Sequence, residues 1–267
     1  MIASLGIVEE AALVARLRAA GCVFAEEEAA LLLAETAAAA DPTALEHLAA
    51  RRAAGEPLEH LLGWAEFRGR RVAVAPGVFV PRRRSGLLVD RAVAAARPGA
   101  VVVDLCCGSG ALGAAVAAEV RGVELHAADV DAAAVACARR TVPPGARVHE
   151  GDLDDALPAD LRGRVDVLLA SPPYVPTAGV ATMPPEARDH EPRPALDGGP
   201  DGLDVLRRIA ARAPGWLAPA GTLLLECAAH QAGAAREAVA AAGLAASVGH
   251  DDEADATVVV GRREEPR

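Results

Sequence analysis

From about residue 100 onward, short apolar runs alternate with segments of helical periodicity, and this alternation constrains the fold more than any other feature. Strands that alternate with helices form βαβ units, so the pattern predicts a parallel sheet covered by helices on both faces. We expect strands at residues 101–105, 123–129, 147–150, 165–170, 221–226, 244–250 and 256–261. We expect the helices between them at residues 111–119, 132–141, 202–215 and 230–242.

The first 60 residues have a different pattern, in which apolar residues recur at helical spacing. Two helices are expected, and Asp41-Pro42 is typical of the start of a third, which ends near Gly55. A short β-hairpin and one more helix then lead into the region of alternation. The expected helices are 8–20, 26–39 and 86–97, and the hairpin strands are 64–68 and 71–75. The sequence therefore predicts a helical domain (1–62), a β-hairpin linker (63–80) and an α/β domain (81–267).

Residues 175–200 form a long proline-rich segment with no clear period. Loops of this length are usually functional or disordered, so the segment is a candidate part of a site.

Charge argues against a broad surface for nucleic acid, because the chain has a formal net charge of -10. Arg82-Arg83-Arg84 is the one basic run, and a solvated loop is the favoured interpretation of it. The N-terminus carries Glu9 and Glu10 where a signal peptide has basic residues, so no leader is expected. No apolar run is long enough to span a membrane.

The five cysteines have neither C-x-x-C spacing nor a neighbouring histidine cluster, so the sequence predicts no disulfide framework and no metal site. Reduced, mostly buried thiols are typical of a cytoplasmic protein. We expect a cytoplasmic monomer without membrane contact.

Ser171-Pro172-Pro173-Tyr174, the SPPY motif, follows the apolar run 165–170. The carboxyl end of such a strand is where open α/β sheets bind ligands. The two prolines lack N–H donors, so the backbone offers carbonyl acceptors beside an aromatic ring. A rigid group of acceptors next to a flat ring suits a planar –NH2 group and indicates methyl transfer to nitrogen. A simple proline turn after a strand is the alternative.

The glycine loop, residues 106–110, joins the first strand of the alternating region to its first helix. Gly108, Gly110 and Gly113 satisfy G-x-G-x-x-G, which is compatible with a dinucleotide or with S-adenosylmethionine. Asp104, just before the loop, favours S-adenosylmethionine: a carboxylate can meet an ammonium group or hold the loop, whereas it repels a pyrophosphate.

Two more carboxylates follow the next strands. Asp129 lies about 20 residues beyond the glycines, where a carboxylate accepts the ribose hydroxyls of either cofactor. Asp152 is placed to accept the amino group of adenine. A helix N-cap is an equally good interpretation of Asp152.

Together these motifs resemble class I S-adenosylmethionine-dependent methyltransferases, and their flanking segments resemble the HemK/PrmC-type protein-(glutamine-N5) methyltransferases. The resemblance covers residues 25–260. It is carried by residues 55–60, Gly63, 67–69, 80–82, 191–192, 195–203, 225–226 and Gln231. It implies a Rossmann-like fold with a seven-stranded mixed sheet, an N-terminal helical substrate-recognition domain and a β-hairpin linker. It also implies that the acceptor is the Gly-Gly-Gln glutamine of a peptide-chain release factor, without direct nucleic-acid binding.

The resemblance also implies roles for individual residues. Cofactor contacts fall to Asp104, Cys106, Gly108, Gly110, Asp129, Asp152 and Ser171. Ser171 and the Pro172 carbonyl would accept the two amide hydrogens, with Tyr174 packing on the amide plane, so these three are the candidate catalytic residues. Substrate contacts fall to Ser171, Pro172, Pro173, Tyr174, Arg82 and Glu191.

The chain departs from the family pattern at three places. Ser171 stands where the family has Asn, and Cys106 replaces a glycine of the cofactor loop. Residues 81–86 read Pro-Arg-Arg-Arg-Ser-Gly where the family has Pro-Arg-Pro-x-Thr-Glu. A diverged relative is therefore expected. The alternatives are a DNA or RNA amino-methyltransferase of the N4-cytosine or N6-adenine type, and a non-catalytic relative that binds the cofactor. A nicotinamide oxidoreductase is least favoured.

Overall fold

The computed structural model describes residues 2–37 and 43–264. The helix start expected at Asp41-Pro42 lies outside the described residues.

The N-terminal helices pack around a core of their own. They are α1 (Ile2–Ala19), α2 (Ala25–Ala37), α3 (Ala44–Ala53) and α4 (Leu58–Leu62). Leu17, Leu32 and Ala49, one from each of the first three helices, are buried together. Arg52 of α3 is also buried, and its guanidinium binds both carboxylate oxygens of Glu28 at 2.6 and 3.0 Å. A buried ion pair of this kind fixes α2 against α3.

The predicted hairpin is present as β1 (Trp64–Phe67) and β2 (Arg70–Ala73), which pair antiparallel. Gly69 has φ +70°, a left-handed conformation that glycine adopts in tight turns without a Cβ clash. The next helix, α5 (Gly86–Ala95), packs on the large sheet.

Seven strands form one mixed sheet in the order β5-β4-β3-β6-β7-β9-β8. They are β3 (Val101–Leu105), β4 (Glu124–Asp129), β5 (Arg147–Glu150), β6 (Val165–Ala170), β7 (Leu217–Glu226), β8 (Ala245–Asp251) and β9 (Ala256–Arg262). The first five are parallel, and β9 runs antiparallel to both β7 and β8. This confirms the predicted seven-stranded mixed sheet.

Helices cover both faces of this sheet. The helices of this region are α6 (Ala111–Glu119), α7 (Ala132–Thr141), α10 (Asp204–Arg212) and α11 (Ala232–Ala241), and two short helices, α8 (Pro185–His190) and α9 (Arg193–Leu196), lie in the proline-rich segment. Successive residues of β3 point to opposite faces: Val103 lies in the apolar cluster with Ile209 of α10, and Val102 in the cluster with Val116 of α6. A central strand that is buried on both faces explains the three consecutive valines, 101–103, seen in the sequence.

The proline-rich segment 175–200 is more regular than expected. It contains a 3-10 turn (Thr177–Thr182) and the short helices α8 and α9, and a proline occupies one of the first two positions of each helix. Proline fits there because the first N–H groups of a helix have no partner within it. Short helices of this kind have too few turns to produce a visible helical period.

No helix in residues 2–37 or 43–264 combines the length and apolarity needed to cross a membrane.

Candidate active site

A cavity of about 510 Å³ opens at the carboxyl ends of β3, β4 and β6. One wall is formed by the glycine loop and Asp129, and the opposite wall by the SPPY motif. Phe79, Pro192 and residues 194–196 also line the cavity. The sheet order places β3 between β4 and β6, so the loops that follow these three strands must meet at one edge.

The glycine loop takes backbone conformations that few side chains tolerate. Gly108 has φ +54° and Gly110 has φ +75°. A Cβ on Gly110 would lie 3.1 Å from the Cβ of Ala138, so this glycine lets α7 pack close to the loop. A Cβ on Gly108 would meet nothing within 4 Å, because that position faces open space. Gly108 therefore lines the cavity, whereas Gly110 acts through packing.

Cys106 stands where the resembled family has glycine, and it has φ +53°. Its side chain lines the cavity. A left-handed conformation at a residue with a Cβ costs about 1–2 kcal/mol. Burial also raises the pKa of the Cys106 thiol, so it stays protonated and is no nucleophile at neutral pH.

Asp129 is the last residue of β4 and lines the cavity, and both of its carboxylate oxygens accept hydrogen bonds. Its Oδ2 accepts the Gly108 N–H at 2.8 Å, and its Oδ1 accepts the Asp131 N–H at 3.0 Å. Burial raises the pKa of Asp129 above its ordinary value, while the two N–H donors act in the opposite direction. This carboxylate ties the ends of β3 and β4 together and keeps lone pairs for a ligand.

Asp104 lies beneath the glycine loop and does not line the cavity. Its Oδ2 accepts the Gly113 N–H at 2.8 Å, in the first turn of α6. Its Oδ1 is buried and has no hydrogen-bond partner in the described structure. Burial raises the pKa of Asp104 to about 7. Of the two roles the sequence allowed for Asp104, holding the loop is the one that these contacts match.

Asp152 lines the cavity and forms an ion pair with Arg208 of α10, at 2.6 Å. It precedes the 3-10 turn Leu153–Ala156, but its side chain makes no capping hydrogen bond. Asp152 therefore occupies the N-cap position of this turn, as the alternative interpretation has it, but its side chain binds Arg208 and does not cap the turn. Arg208 was missed from the sequence, because nothing in the local pattern links α10 to a residue 56 positions earlier.

The backbone of the SPPY motif is supported by Gln231 and by the glycines of residues 198–202. The Gln231 amide donates to the carbonyl oxygen of Tyr174 at 2.9 Å and to that of Asp201 at 2.9 Å. A Cβ on Gly198 would lie 2.5 Å from the Pro173 carbonyl oxygen. Gly202 has φ +79°, and a Cβ there would overlap the Tyr174 carbonyl oxygen. The glycines in residues 198–202 thus allow this segment to pack directly on the motif.

Tyr174 forms part of the cavity wall, and its hydroxyl donates to Glu226 Oε1 at 3.3 Å. The Arg84 guanidinium lies 5.9 Å from the centre of its ring. Burial, followed by the nearby Glu226 charge, raises the pKa of Tyr174 to about 12. The phenol is therefore neutral at physiological pH, so it can serve as a flat wall and not as a base.

The sequence favoured a solvated loop for Arg82-Arg83-Arg84, and the structure agrees with this only in part. Arg82 lines the cavity, stacks 4.8 Å from the Phe79 ring and binds Glu191 at 2.6 Å. The side chain of Glu191 is 1% exposed, and its other oxygen accepts the Val80 N–H at 3.1 Å. Burial raises the pKa of Glu191. Arg84 also lines the cavity. The spacing of about 110 residues between Arg82 and Glu191 hides this pair from sequence analysis.

Of the predicted site residues, nine line the cavity: Arg82, Cys106, Gly108, Asp129, Asp152, Ser171, Pro172, Pro173 and Tyr174. Asp104 and Gly110 support the glycine loop. Glu191 lines a second cavity, of about 670 Å³, which shares Arg82, Arg84 and Met183 with the first. The individual roles of these residues stay predictions.

None of the five cysteines forms a disulfide, and three of them are buried. No group of three or more His, Cys, Asp or Glu side chains within the described ranges is placed to hold a metal ion.

A family model described as "Methyltransferase small domain" matches residues 70–183. A release factor glutamine methyltransferase of Streptomyces coelicolor is 43% identical over 190 residues, which cover 69% of this chain and 67% of that protein. The chain belongs to the HemK/PrmC-type glutamine methyltransferase family. A 4-amino-L-phenylalanine/4-methylamino-L-phenylalanine methyltransferase of Streptomyces pristinaespiralis is 38% identical over 193 residues, 69% of this chain and 65% of that relative. The chain thus aligns with about two thirds of each relative.

The fold agrees with this membership. A methyltransferase of Pyrococcus furiosus has a similar structure, with a TM-score of 0.55 at 16% identity. The similarity covers 74% of this chain and 90% of that one. At so low an identity the likeness concerns the fold alone.

Proposed function

We propose that this protein transfers a methyl group from S-adenosylmethionine to the side-chain amide nitrogen of a protein glutamine. The preferred acceptor is the Gly-Gly-Gln glutamine of a peptide-chain release factor. The observation that carries the proposal is one cavity with two unlike walls: the glycine loop and Asp129 on one side, and the SPPY motif on the other. The name of the Streptomyces coelicolor relative supports the choice of acceptor.

The first wall fits the cofactor. Gly108 leaves open space where a side chain would stand, and the carboxylate of Asp129, which lines the cavity, keeps lone pairs that can accept ribose hydroxyls. Asp152, beside Leu153 in the lining, offers an acceptor for an adenine amino group. When bound, S-adenosylmethionine supplies a methyl group that is activated by its sulfonium centre. The side chain of Cys106 makes the cavity narrower than the family's glycine would at this position.

The second wall fits an amide. An amide nitrogen is a weak nucleophile, because its lone pair is delocalised into the carbonyl group. Ser171 and the Pro172 carbonyl can accept its two hydrogens, and the Tyr174 ring can lie on the amide plane. These contacts would hold the nitrogen about 3–3.5 Å from the methyl carbon and stabilise the positive charge that develops on it. No side-chain base is required if the nitrogen releases its proton to water after transfer.

The N-terminal helices are proposed as the recognition domain for the protein acceptor. Arg52 connects them to the catalytic part, because its guanidinium also lies 3.4 Å from Glu186 of α8. Helix α8 also lines the second cavity. This cavity offers a surface for the residues of the acceptor protein that flank its glutamine.

Methyl transfer from labelled S-adenosylmethionine tests this proposal. A release factor with an intact Gly-Gly-Gln sequence should become labelled, and the same factor with its glutamine replaced by alanine should not. Label on oligonucleotides but none on the release factor would indicate the amino-methyltransferase alternative. Cofactor binding without any transfer would indicate a non-catalytic relative.

A second candidate acceptor is the aromatic amine of a free amino acid. Two observations favour it: the Streptomyces pristinaespiralis relative, and the departure from the family pattern at Ser171, which lines the cavity. Arg84 lines the cavity and could pair with a free carboxylate. Labelling of 4-amino-L-phenylalanine in place of the release factor would select this acceptor.

A further inference from the structure

Glu226 occupies a special place in the sheet. It is the last residue of β7, and the parallel register pairs Ala170 of β6 with Leu225 of β7. Ser171 follows Ala170 and Glu226 follows Leu225, so Glu226 lies beside the start of the SPPY motif. Its side chain is only 3% exposed, and it does not line the cavity. Glu226 is therefore immediately behind the wall that Tyr174 forms.

The contacts of Glu226 are few for a buried carboxylate. Its Oε1 accepts the Tyr174 hydroxyl at 3.3 Å, and the Arg84 Nε lies 3.8 Å from the same oxygen. Its Oε2 is buried and has no hydrogen-bond partner within the described part of the chain. A buried carboxylate with unmet hydrogen-bonding capacity costs free energy. Such a group needs a reason other than stability, and its hydrogen bond to Tyr174 leads to the proposed acceptor wall.

The hydroxyl of Tyr174 also needs an explanation. A flat apolar wall requires only an aromatic ring, which phenylalanine supplies without a buried polar atom. The chain nevertheless has tyrosine here, and it is the single tyrosine of the sequence. Buried tyrosine hydroxyls usually have a partner, and a hydrogen bond at the far end of the ring fixes its rotation.

We propose that Glu226 is the positioning residue for Tyr174, holding the ring at the angle that the acceptor amide packs against. Arg84, from the segment that departs from the family pattern, offsets part of the Glu226 charge. This inference rests on the proposed function, because it gives Tyr174 the role of acceptor wall. Glu226 acts through the ring and has no contact with acceptor or cofactor.

The single tyrosine makes the idea directly measurable. Protein grown with isotopically labelled tyrosine gives one set of ring signals in an NMR spectrum, and these report on Tyr174 alone. Glu226→Leu removes the acceptor of the hydroxyl and should shift these signals. It should also lower kcat about tenfold, because a small displacement of the acceptor slows methyl transfer. The KM for S-adenosylmethionine should stay unchanged, because the cofactor still binds as in the wild type. Glu226→Gln keeps an acceptor oxygen and should restore both the signals and most of kcat.

Two further variants separate positioning from simple support of the fold. Glu28→Gln removes the charge of a different buried carboxylate, in helix α2, and should leave the Tyr174 signals in place. Tyr174→Phe removes the hydroxyl and should lower kcat as much as Glu226→Leu does, and combining the two changes should add little.

Unchanged ring signals in Glu226→Leu would overturn the inference, as would losses of kcat that multiply in the double variant. If Glu226→Leu does not fold, Tyr174→Phe decides, because wild-type kcat in that variant excludes a role for the hydroxyl. The ring signals are recorded without any acceptor. A wild-type protein that fails to methylate the release factor therefore counts against the proposed function and not against this contact.

Discussion

Replacing Asp104 by asparagine should remove a large pH dependence from the stability of the fold. The carboxyl group is fully buried, with one oxygen bound to the Gly113 N–H and the other without a partner among residues 2–37 and 43–264. Asparagine has nearly the same shape and keeps a carbonyl oxygen for Gly113. The substitution therefore takes away the ionisation while it preserves the packing.

The magnitude follows from the pKa of Asp104, which burial raises from 3.8 to about 7. Between these values the folded state holds a proton that the unfolded state releases, so the free energy of unfolding falls as the pH rises through this window. Each pH unit costs about 1.4 kcal/mol, which gives about 3 kcal/mol between pH 5 and pH 8. Above the folded-state pKa the loss is complete, and stability no longer depends on this group.

Urea unfolding at pH 5 and pH 8, without added cofactor, measures the effect. The wild type should lose about 3 kcal/mol more than Asp104→Asn over this interval. The same change at Asp160, whose side chain is 77% exposed, serves as the matched control and should leave the pH dependence as in the wild type. Parallel pH profiles for wild type and Asp104→Asn would refute the reasoning, since they would mean that the buried carboxyl has an ordinary pKa.

The other predictions concern the acceptor side of the site. Tyr174→Ala should bind S-adenosylmethionine like the wild type in calorimetry but lose methyl transfer; equal loss of both would remove Tyr174 from the acceptor wall. Gly202→Ala should cost about 3 kcal/mol in urea unfolding, because its Cβ overlaps the Tyr174 carbonyl and its φ is +79°. Gly233→Ala, in an open helical position, should instead stabilise by about 0.5–1 kcal/mol, and similar costs at both glycines would contradict the steric argument. Arg82→Met leaves the buried carboxylate of Glu191 without its ion-pair partner and should lower the free energy of unfolding by about 3 kcal/mol. Arg83→Met, at an exposed position, should change that free energy by less than about 0.5 kcal/mol. Equal effects of the two arginine changes, in the same unfolding experiment, would mean that the ion pair contributes nothing.

The regular part of the fold could be predicted because its signals are local. The run 165–170 is buried on both faces, and the predicted strand matches β6 at both ends. The strand β7 was predicted to begin at residue 221, but it begins at Leu217. Residues 218–220 interrupt the apolar run with Ala-Pro-Ala, and the register shift between Val165 and Val167 accommodates the extra length. A bulge of this kind depends on the partner strand, which the local sequence does not reveal.

The candidate site was predictable where a motif follows a strand. Asp129 and the SPPY motif each come directly after a buried strand, so the sheet order alone brings them to one edge. Arg208 and Phe79 were missed, because each reaches the cavity from an element whose position depends on packing. The arginine run was misjudged for the same reason, since its buried partner Glu191 lies more than a hundred residues away.

The sequence by itself determined the alternation of strands and helices, the glycine loop and the SPPY motif. These depend on periodicity, on backbone conformations that few residues allow and on prolines that lack N–H donors. Only the tertiary structure decided which charged side chains form ion pairs and which are buried without one. It placed Glu226 behind Tyr174, and it buried one oxygen of Asp104 where no other group of the described structure reaches it, because burial and partner distance are properties of the packed chain. The chemistry of the site depends on both levels.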